Sequence, residues 1–155
     1  VGGTYGGDFE GTGKRWCENF KRLETNTQKR VTVENDDKGS MWSTKHLFDY
    51  IHSDIGIPIV FDYHHYKFCT GGQTEQEALE LAMSTWPDGV TPVVHYSQSR
   101  AEEHNDPKIR PQAHSDSYWA APDLYGHDLY VMCECKHKEQ GVFALREIIN
   151  NKAVA

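Results

Sequence analysis

The 155-residue chain lacks several features that would place it in a class at once. No apolar run approaches the roughly 20 residues that cross a bilayer, and no stretch resembles a secretory signal. The four cysteines form no CxxC pair, so reduced thiols are expected. We therefore expect an intracellular protein that is neither secreted nor membrane-bound, in the cytoplasm of a prokaryote or virus-infected cell, or in a nucleus.

Positive charge is also scarce. The formal net charge is −7 at pH 7, without a long block of one sign. This balance argues against a general DNA-coating protein, which normally carries a basic patch, but it allows an enzyme whose bound cations neutralise phosphate. The length predicts a single domain over residues 1–155. Nine histidines are more than a chain of this size needs, which hints at a site.

Strand and helix signals alternate along the chain. Strands are predicted at 30–34, 57–66, 91–100 and 128–138, and helices at 14–23, 43–56, 74–86 and 139–150. Ser43 is the expected N-cap of the second helix and Gly56 its end, and Thr74 with Glu77 forms a capping box before the third. A polar loop is expected from 101 to about 128. This alternation predicts an α/β fold with parallel strands.

Ionisable side chains stand near the ends of the predicted strands, with one more in the long loop. They are Glu34, Asp62, His65, His95, His114 and Glu134. Because parallel strands end at one edge of a sheet, these side chains should converge. Three carboxylates and three imidazoles would repel or desolvate one another unless a cation held them. Carboxylate with imidazole suits Mn²⁺, Zn²⁺ or Fe²⁺ better than Ca²⁺.

Each position also has a purely structural explanation. His95 follows two valines and could be a hydrogen-bonded core residue, and Asp62 could cap the following loop. Glu134 is harder to explain in this way, because a buried, unpaired carboxylate costs several kcal/mol. The set as a whole favours a site. His64 stays open, and the remaining histidines are interpreted as surface residues: His46, His52, His104, His127 and His137.

Five motifs, in order and spacing, resemble the UV damage endonuclease family: VENDDK, FDYHH, VHYSQ, AHSDSY and ECKHK. The opening VGGTYGGD and the segment WCENFKRL resemble the same family, so the resemblance covers nearly the whole chain. These enzymes are metal-dependent repair nucleases on a TIM barrel related to endonuclease IV and the xylose isomerases. Such a barrel needs about 250 residues. The resemblance therefore implies the C-terminal half of a (β/α)8 barrel, about four parallel βα units, with the N-terminal half absent.

The resemblance also implies a role for each matched residue. The implied metal ligands are Glu34 as a bridge between two ions, Asp62, His95 and Glu134 in one shell, and His65 and His114 on a further ion. Asn35 and Asp36 would orient these ligands. The implied DNA contacts are Tyr96, Arg100 and Lys136, and the implied catalytic residues are Glu34, Glu134 and Lys136.

The implied cofactors are two or three divalent ions per complete barrel, with Mn²⁺ expected and Zn²⁺ or Mg²⁺ as alternatives. The implied reaction cuts UV-damaged double-stranded DNA on the 5′ side of a photolesion, leaving 3′-hydroxyl and 5′-phosphate ends. The implied protein partner is the N-terminal half of the barrel or a second copy. Val93 departs from the family, which often has a lysine two residues before the histidine of the HYS motif.

Two other functions fit the same residues. A sugar isomerase or epimerase on the related barrel would need one divalent ion held by Glu34, Asp62, His95 and Glu134. The additional histidines and the extended motif match favour the nuclease. The third possibility is a non-catalytic fragment that folds only with its other half.

Overall fold

Short strands alternate with helices in the computed structural model, which describes residues 1–152. The first part contains a 3₁₀ turn at Tyr5–Gly7, helices α1 (Phe9–Phe20) and α2 (Thr25–Gln28), strand β1 (Val33–Glu34), and helices α3 (Thr44–Leu47) and α4 (Ser53–Ile55) joined by a π-helical turn at Phe48–His52. The second part contains β2 (Ile59–Asp62), α5 (Tyr63–Tyr66), α6 (Glu75–Met83), β3 (Val93–Tyr96), α7 (Arg100–His104), β4 (Tyr130–Cys133) and α8 (Glu139–Lys152). The predicted domain runs to residue 155, so its last three residues lie outside the described range.

The four strands form one parallel sheet in the order β1-β2-β3-β4. Glu34 lies opposite Val60, Asp62 opposite His95, and Tyr96 opposite Cys133. Because consecutive strands are neighbours and parallel, their C-terminal ends lie at one edge of the sheet. This confirms the predicted α/β class with four parallel strands. No helix among the described residues is long and apolar enough to cross a membrane.

Local signals set the helix ends as predicted. Ser43 Oγ accepts a hydrogen bond from the His46 amide at 3.2 Å, and Thr74 Oγ1 accepts one from the Glu77 amide at 3.3 Å. Gly56 ends α4 with φ of 67°, a left-handed conformation that costs glycine little. These contacts span a few residues each, so the sequence alone can predict them.

The core lies between the helices and one face of the sheet. Phe61 and Val94 are paired in register and buried on this face, where they pack against helix residues such as Leu47 and Leu79. Asp62 and His95 are also paired in register, and alternation along the strands places them on the opposite face. The sheet therefore separates an apolar core from a face that carries ionisable side chains.

The predicted strands are too long. The second was expected over 57–66, but β2 ends at Asp62, because its carboxylate accepts hydrogen bonds from the amides of His64 at 2.7 Å and His65 at 2.8 Å and starts α5. The other strands are likewise limited to 33–34, 93–96 and 130–133. Helix α7 occupies the start of the segment that was expected to be a polar loop.

Candidate metal centre

Six side chains that the sequence predicts as metal ligands meet at the C-terminal edge of the sheet. Glu34 and Asp62 end their strands, His95 lies in β3, Glu134 follows β4, His65 belongs to α5, and His114 lies in the loop after α7. Topology explains this convergence, since each strand of a parallel sheet delivers its C-terminal residues to the same edge.

His95 lies between two carboxylates. Its Nδ1 atom is 3.3 Å from Glu34 Oε1 and 3.4 Å from Glu134 Oε1. Glu34 Oε1 is also 3.3 Å from His65 Nδ1. At the other end, His114 Nδ1 is 3.6 Å from Glu134 Oε2. These contacts join side chains from the ends of β1, β3 and β4 and from the loops beside them into one continuous cluster.

Asp62 forms the buried base of this cluster. Its Oδ1 atom caps α5, whereas Oδ2 is buried without a hydrogen-bond partner among the described residues. Ligand-type atoms of Glu34, Asp62 and His95 all lie within 4.8 Å of one another. Burial raises the pKa of Asp62 to about 6, and the nearby Glu34 charge adds to the shift. A buried carboxylate oxygen of this kind calls for positive charge, and a divalent cation fits the donor set.

The neighbouring groups also perturb one another. Burial alone would raise the pKa of Glu34, but hydrogen bonds from His65 and His95 hold it well below its usual range. Burial alone would lower the pKa of His65, but the Glu34 hydrogen bond and the Asp62 charge raise it to about 9. Protonated imidazole therefore supplies positive charge here at neutral pH, and bound cations would compete with those protons.

Asn35 fixes two of the candidate ligands. Its buried side chain donates to the Asp62 carbonyl at 3.0 Å and accepts from the Asp62 amide at 2.8 Å. Its carbonyl accepts a hydrogen bond from His65 Nδ1 at 2.9 Å. Asp36 lines an open hollow beside His65, and burial, followed by contact with Asp37, raises its pKa. Asn35 thus contacts two candidate ligands directly, whereas Asp36 shares only the hollow with His65.

Backbone hydrogen bonds hold the loop that carries His114. The Ser115 amide donates to the Gln98 carbonyl at 2.8 Å, and the Lys136 amide donates to the Ser115 carbonyl at 3.0 Å. The loop therefore lies between the end of β3 and the segment after β4. This arrangement brings His114 next to Glu134.

The three predicted DNA contacts lie in different surroundings. Lys136 is exposed two residues after Glu134. Arg100 Nε lies 3.3 Å from Asp116 Oδ1, so its guanidinium is already partly engaged. Tyr96 is only 6% exposed, and its hydroxyl donates to the Ala120 carbonyl at 2.8 Å. Tyr96 packs on the core face, and its contact with DNA stays a prediction.

Two features escaped the sequence interpretation. His64 is fully buried and meets His114 edge-on, with ring centroids 5.6 Å apart, and burial lowers the pKa of His64 to about 4. His104, interpreted as a surface residue, has Nε2 only 2.7 Å from Asp116 Oδ2. The AHSDSY motif contained Asp116, but its partner on α7 is 12 residues away and carries no sequence signal.

Comparison with known proteins identifies relatives along nearly the whole chain. The family model described as UV-endonuclease UvdE matches residues 1–154. A UV DNA damage endonuclease of Bacillus cereus is 33% identical over an alignment of 152 residues, which covers 94% of this chain and 45% of that protein. A UV-damage endonuclease of Neurospora crassa is 30% identical over 155 residues, covering 94% of this chain and 23% of that protein.

A solved structure is similar as well. The crystal structure of SacUVDE matches with a TM-score of 0.76 and 27% identity, over 94% of this chain and 48% of that one. The predicted fold, four parallel βα units equivalent to half of a TIM barrel, is thereby confirmed. The chain spans less than half the length of these relatives.

Proposed function

The chain belongs to the UV-endonuclease UvdE family, and from this premise we propose that it supplies metal ligands to a DNA repair endonuclease that cuts the backbone 5′ to UV photolesions. The observation that carries the proposal is the position of His95, 3.3 Å from Glu34 and 3.4 Å from Glu134, with His65 and His114 at the two ends. A single divalent ion usually takes three or four protein ligands. Six ligand-type side chains in one cluster support more than one ion.

The donor set fits divalent metals that accept both carboxylate and imidazole. We propose two or three ions, with Mn²⁺ as the expected metal and Zn²⁺ or Mg²⁺ as the alternatives. When bound, such ions would supply a water nucleophile at neutral pH and stabilise the leaving oxygen. Glu34 contacts two imidazoles and is the proposed bridge. Asp62, His95 and Glu134 would hold one ion, and His65 and His114 another.

Other residues of the chain would orient these ligands and hold the DNA. Asn35 keeps Asp62 and His65 in place through the hydrogen bonds described above. Two exposed lysines lie in loops that directly follow a strand, Lys38 after β1 and Lys136 after β4. Lysine side chains at the strand ends can bind phosphate beside the ligands, which supports DNA as the substrate. Lys136 is the proposed contact to the phosphate at the cut.

We also propose that activity requires further βα units. Among the described residues β4 pairs only with β3, and Tyr130 and Met132 are 66% and 52% exposed on the face that His95 shares. An open strand edge beside exposed apolar side chains calls for another strand. The remaining units that the relatives contain, or a second copy of this chain, would cover it. We call the resulting assembly the completed barrel.

Two measurements on the completed barrel test the proposal: its metal content and its nicking of UV-irradiated plasmid. The protein should hold two or three divalent ions and nick irradiated plasmid, and a chelator should abolish nicking. Glu34→Gln should lose bound metal and nicking together. Glu24→Gln, an exposed glutamate before α2, is the matched control and should change neither.

A sugar isomerase predicts a different outcome. It would use one ion held by the closely spaced group Glu34, Asp62 and His95 together with Glu134, and it could spare His65 and His114. A completed barrel that interconverts sugars and leaves irradiated DNA intact would replace the nuclease proposal with this one.

A further inference from the structure

A second cluster of ionisable side chains lies beside the candidate metal centre. It joins α7 to the segment just after His114. The Glu103 carboxylate accepts hydrogen bonds from the Asp116 amide at 2.6 Å and from the Ser117 amide at 3.0 Å. His104 Nε2 lies 2.7 Å from Asp116 Oδ2. Helix α7 thus holds both the backbone and a side chain of the segment that follows His114.

In composition this cluster resembles a metal site. Ligand-type atoms of Glu103, His104 and Asp116 lie within 4.8 Å of one another. The carboxylate oxygens of Glu103 and Asp116 already have partners within the protein, however. Each Glu103 oxygen holds a backbone N–H, and Asp116 Oδ1 lies 3.3 Å from Arg100 Nε. A permanently charged guanidinium at that distance disfavours a cation. The geometry fits a clamp, which we define as Arg100, Glu103, His104 and Asp116, rather than an ion site.

The clamp acts on the metal centre through a short stretch of backbone. Asp116 is two residues after His114, and the residue between them, Ser115, is buried. The Ser115 carbonyl accepts from the Lys136 amide at 3.0 Å, and the Asp116 carbonyl accepts from the His137 amide at 2.9 Å. Releasing the clamp would therefore loosen both His114 and the segment that carries Lys136.

We propose that Glu103 is a positioning residue for His114. It touches neither metal nor DNA in this role. It holds the Asp116 and Ser117 amides so that the His114 imidazole stays 3.6 Å from Glu134. The proposal rests on the proposed function, because it presupposes that His114 binds metal. Mutation of a group that holds a metal ligand in place through hydrogen bonds typically lowers metal affinity by about 10–100-fold.

The test compares three variants of the completed barrel, with Mn²⁺ alone as the probe. Glu103→Ala should weaken the most weakly bound Mn²⁺ by about tenfold in a titration that measures free Mn²⁺ by electron paramagnetic resonance. It should also speed amide hydrogen exchange at Asp116 and Ser117. Glu103→Gln keeps one acceptor oxygen, so it should retain part of the Mn²⁺ affinity and part of the protection of these amides from exchange. Glu102→Ala, an exposed neighbour on α7, should change neither.

His114→Ala separates this proposal from the proposed function. If His114→Ala leaves Mn²⁺ affinity unchanged, the ligand assignment fails, and the positioning role falls with it. If His114→Ala weakens binding while Glu103→Ala and Glu103→Gln do not, the positioning role alone is overturned. If Glu103→Ala removes an ion that His114→Ala retains, the cluster is itself a metal site and the clamp is refuted. If Glu103→Ala does not fold, the Mn²⁺ affinity and the amide exchange of Glu103→Gln test the positioning role instead.

Discussion

Strands β2 and β4 both end beside a candidate metal ligand, but their surroundings differ. All four residues of β2 are buried, and the strand pairs on both sides. In β4, Tyr130 and Met132 are mostly exposed, and among the described residues the strand pairs on one side only. The sheet therefore holds Asp62 from both sides, whereas it holds Glu134 from one side only, through the Tyr96 carbonyl.

The ligands themselves show the same difference. Asp62 is fully buried and held by both hydrogen bonds of the Asn35 side chain. The side chains of Glu134 and His114 remain 32% and 34% exposed. The Glu134 amide donates to the carbonyl of Tyr96 at the end of β3 at 2.9 Å, and loop-to-loop hydrogen bonds hold the backbone beside His114. One side of the cluster is thus preorganised by the core, and the other by segments that can loosen separately.

The largest expected effect concerns strand cleavage by the completed barrel. His65→Ala on the buried side and His114→Ala on the exposed side should each lower nicking of UV-irradiated plasmid by about a hundredfold or more, because positioned metal charge supplies several kcal/mol to the transition state. Each should also lower bound metal by a fraction of an equivalent. Full metal content and full nicking in both variants would contradict the cluster assignment.

The second effect concerns folding stability in the presence of a chelator. The folded-state pKa of His65 is raised from 6.5 to about 9, so the protonated imidazole stabilises the fold fully below pH 6.5, and this contribution disappears as pH rises through about 9. At about 1.4 kcal/mol per pKa unit, His65→Ala should cost about 3 kcal/mol at pH 6.

Urea unfolding at pH 6 and pH 9.5 measures this difference. For His65→Ala the gap from the unmodified protein should shrink strongly at pH 9.5. His114→Ala, on the exposed side, serves as the comparison and should change stability by less than about 1 kcal/mol. An equal cost for both histidines would show that the two sides are equally preorganised.

The third effect is association of the isolated 155-residue chain. Its open β4 edge and the exposed Tyr130 and Met132 side chains should make it self-associate, without nicking irradiated DNA. The double variant Tyr130→Ser with Met132→Ser should weaken this association about a hundredfold, since each of the two apolar side chains contributes about 1.5 kcal/mol when buried. Sedimentation measures it, and Leu23→Ser, an exposed leucine after α1, is the control.

In the completed barrel the same double variant should affect stability rather than self-association. There the two side chains would be covered, and their replacement should lower stability. A monomeric, active 155-residue chain would refute the requirement for further βα units.

Features of the fold that depend on neighbouring residues could be predicted from the sequence. The caps at Ser43 and Thr74 span three residues each, and alternation of strands and helices predicts a parallel sheet. The convergence of Glu34, Asp62 and His95 follows from the same topology. To predict this convergence, it was enough that each of these residues lies at or near the C-terminal end of a strand.

Features that depend on distant contacts could not be predicted. The apolar run around Phe61 gives no sign that the chain turns into α5 after Asp62. The motif around Tyr96 does not show its burial, because the partner of its hydroxyl lies 24 residues further along the chain. Helix α7 is held by Glu103 contacts that span 13 and 14 residues. In each case tertiary packing determines the local structure, and no local sequence pattern indicates it.

The smallest expected effect concerns DNA binding on the exposed side of the cluster. With a net charge of −7, binding should depend mainly on bound metal and on a few lysines. Lys136→Ala should weaken binding of irradiated duplex by severalfold and reduce the slope of log K against log salt by about 1, because one phosphate contact is lost. Lys21→Ala is the matched control, since Lys21 pairs with Asp54 at 2.8 Å at the far end of α1. Its salt slope should stay unchanged. Equal slopes for Lys136→Ala and the unmodified protein would remove Lys136 from the DNA interface. A steep salt dependence that a chelator leaves unaltered would instead contradict the dependence of binding on bound metal.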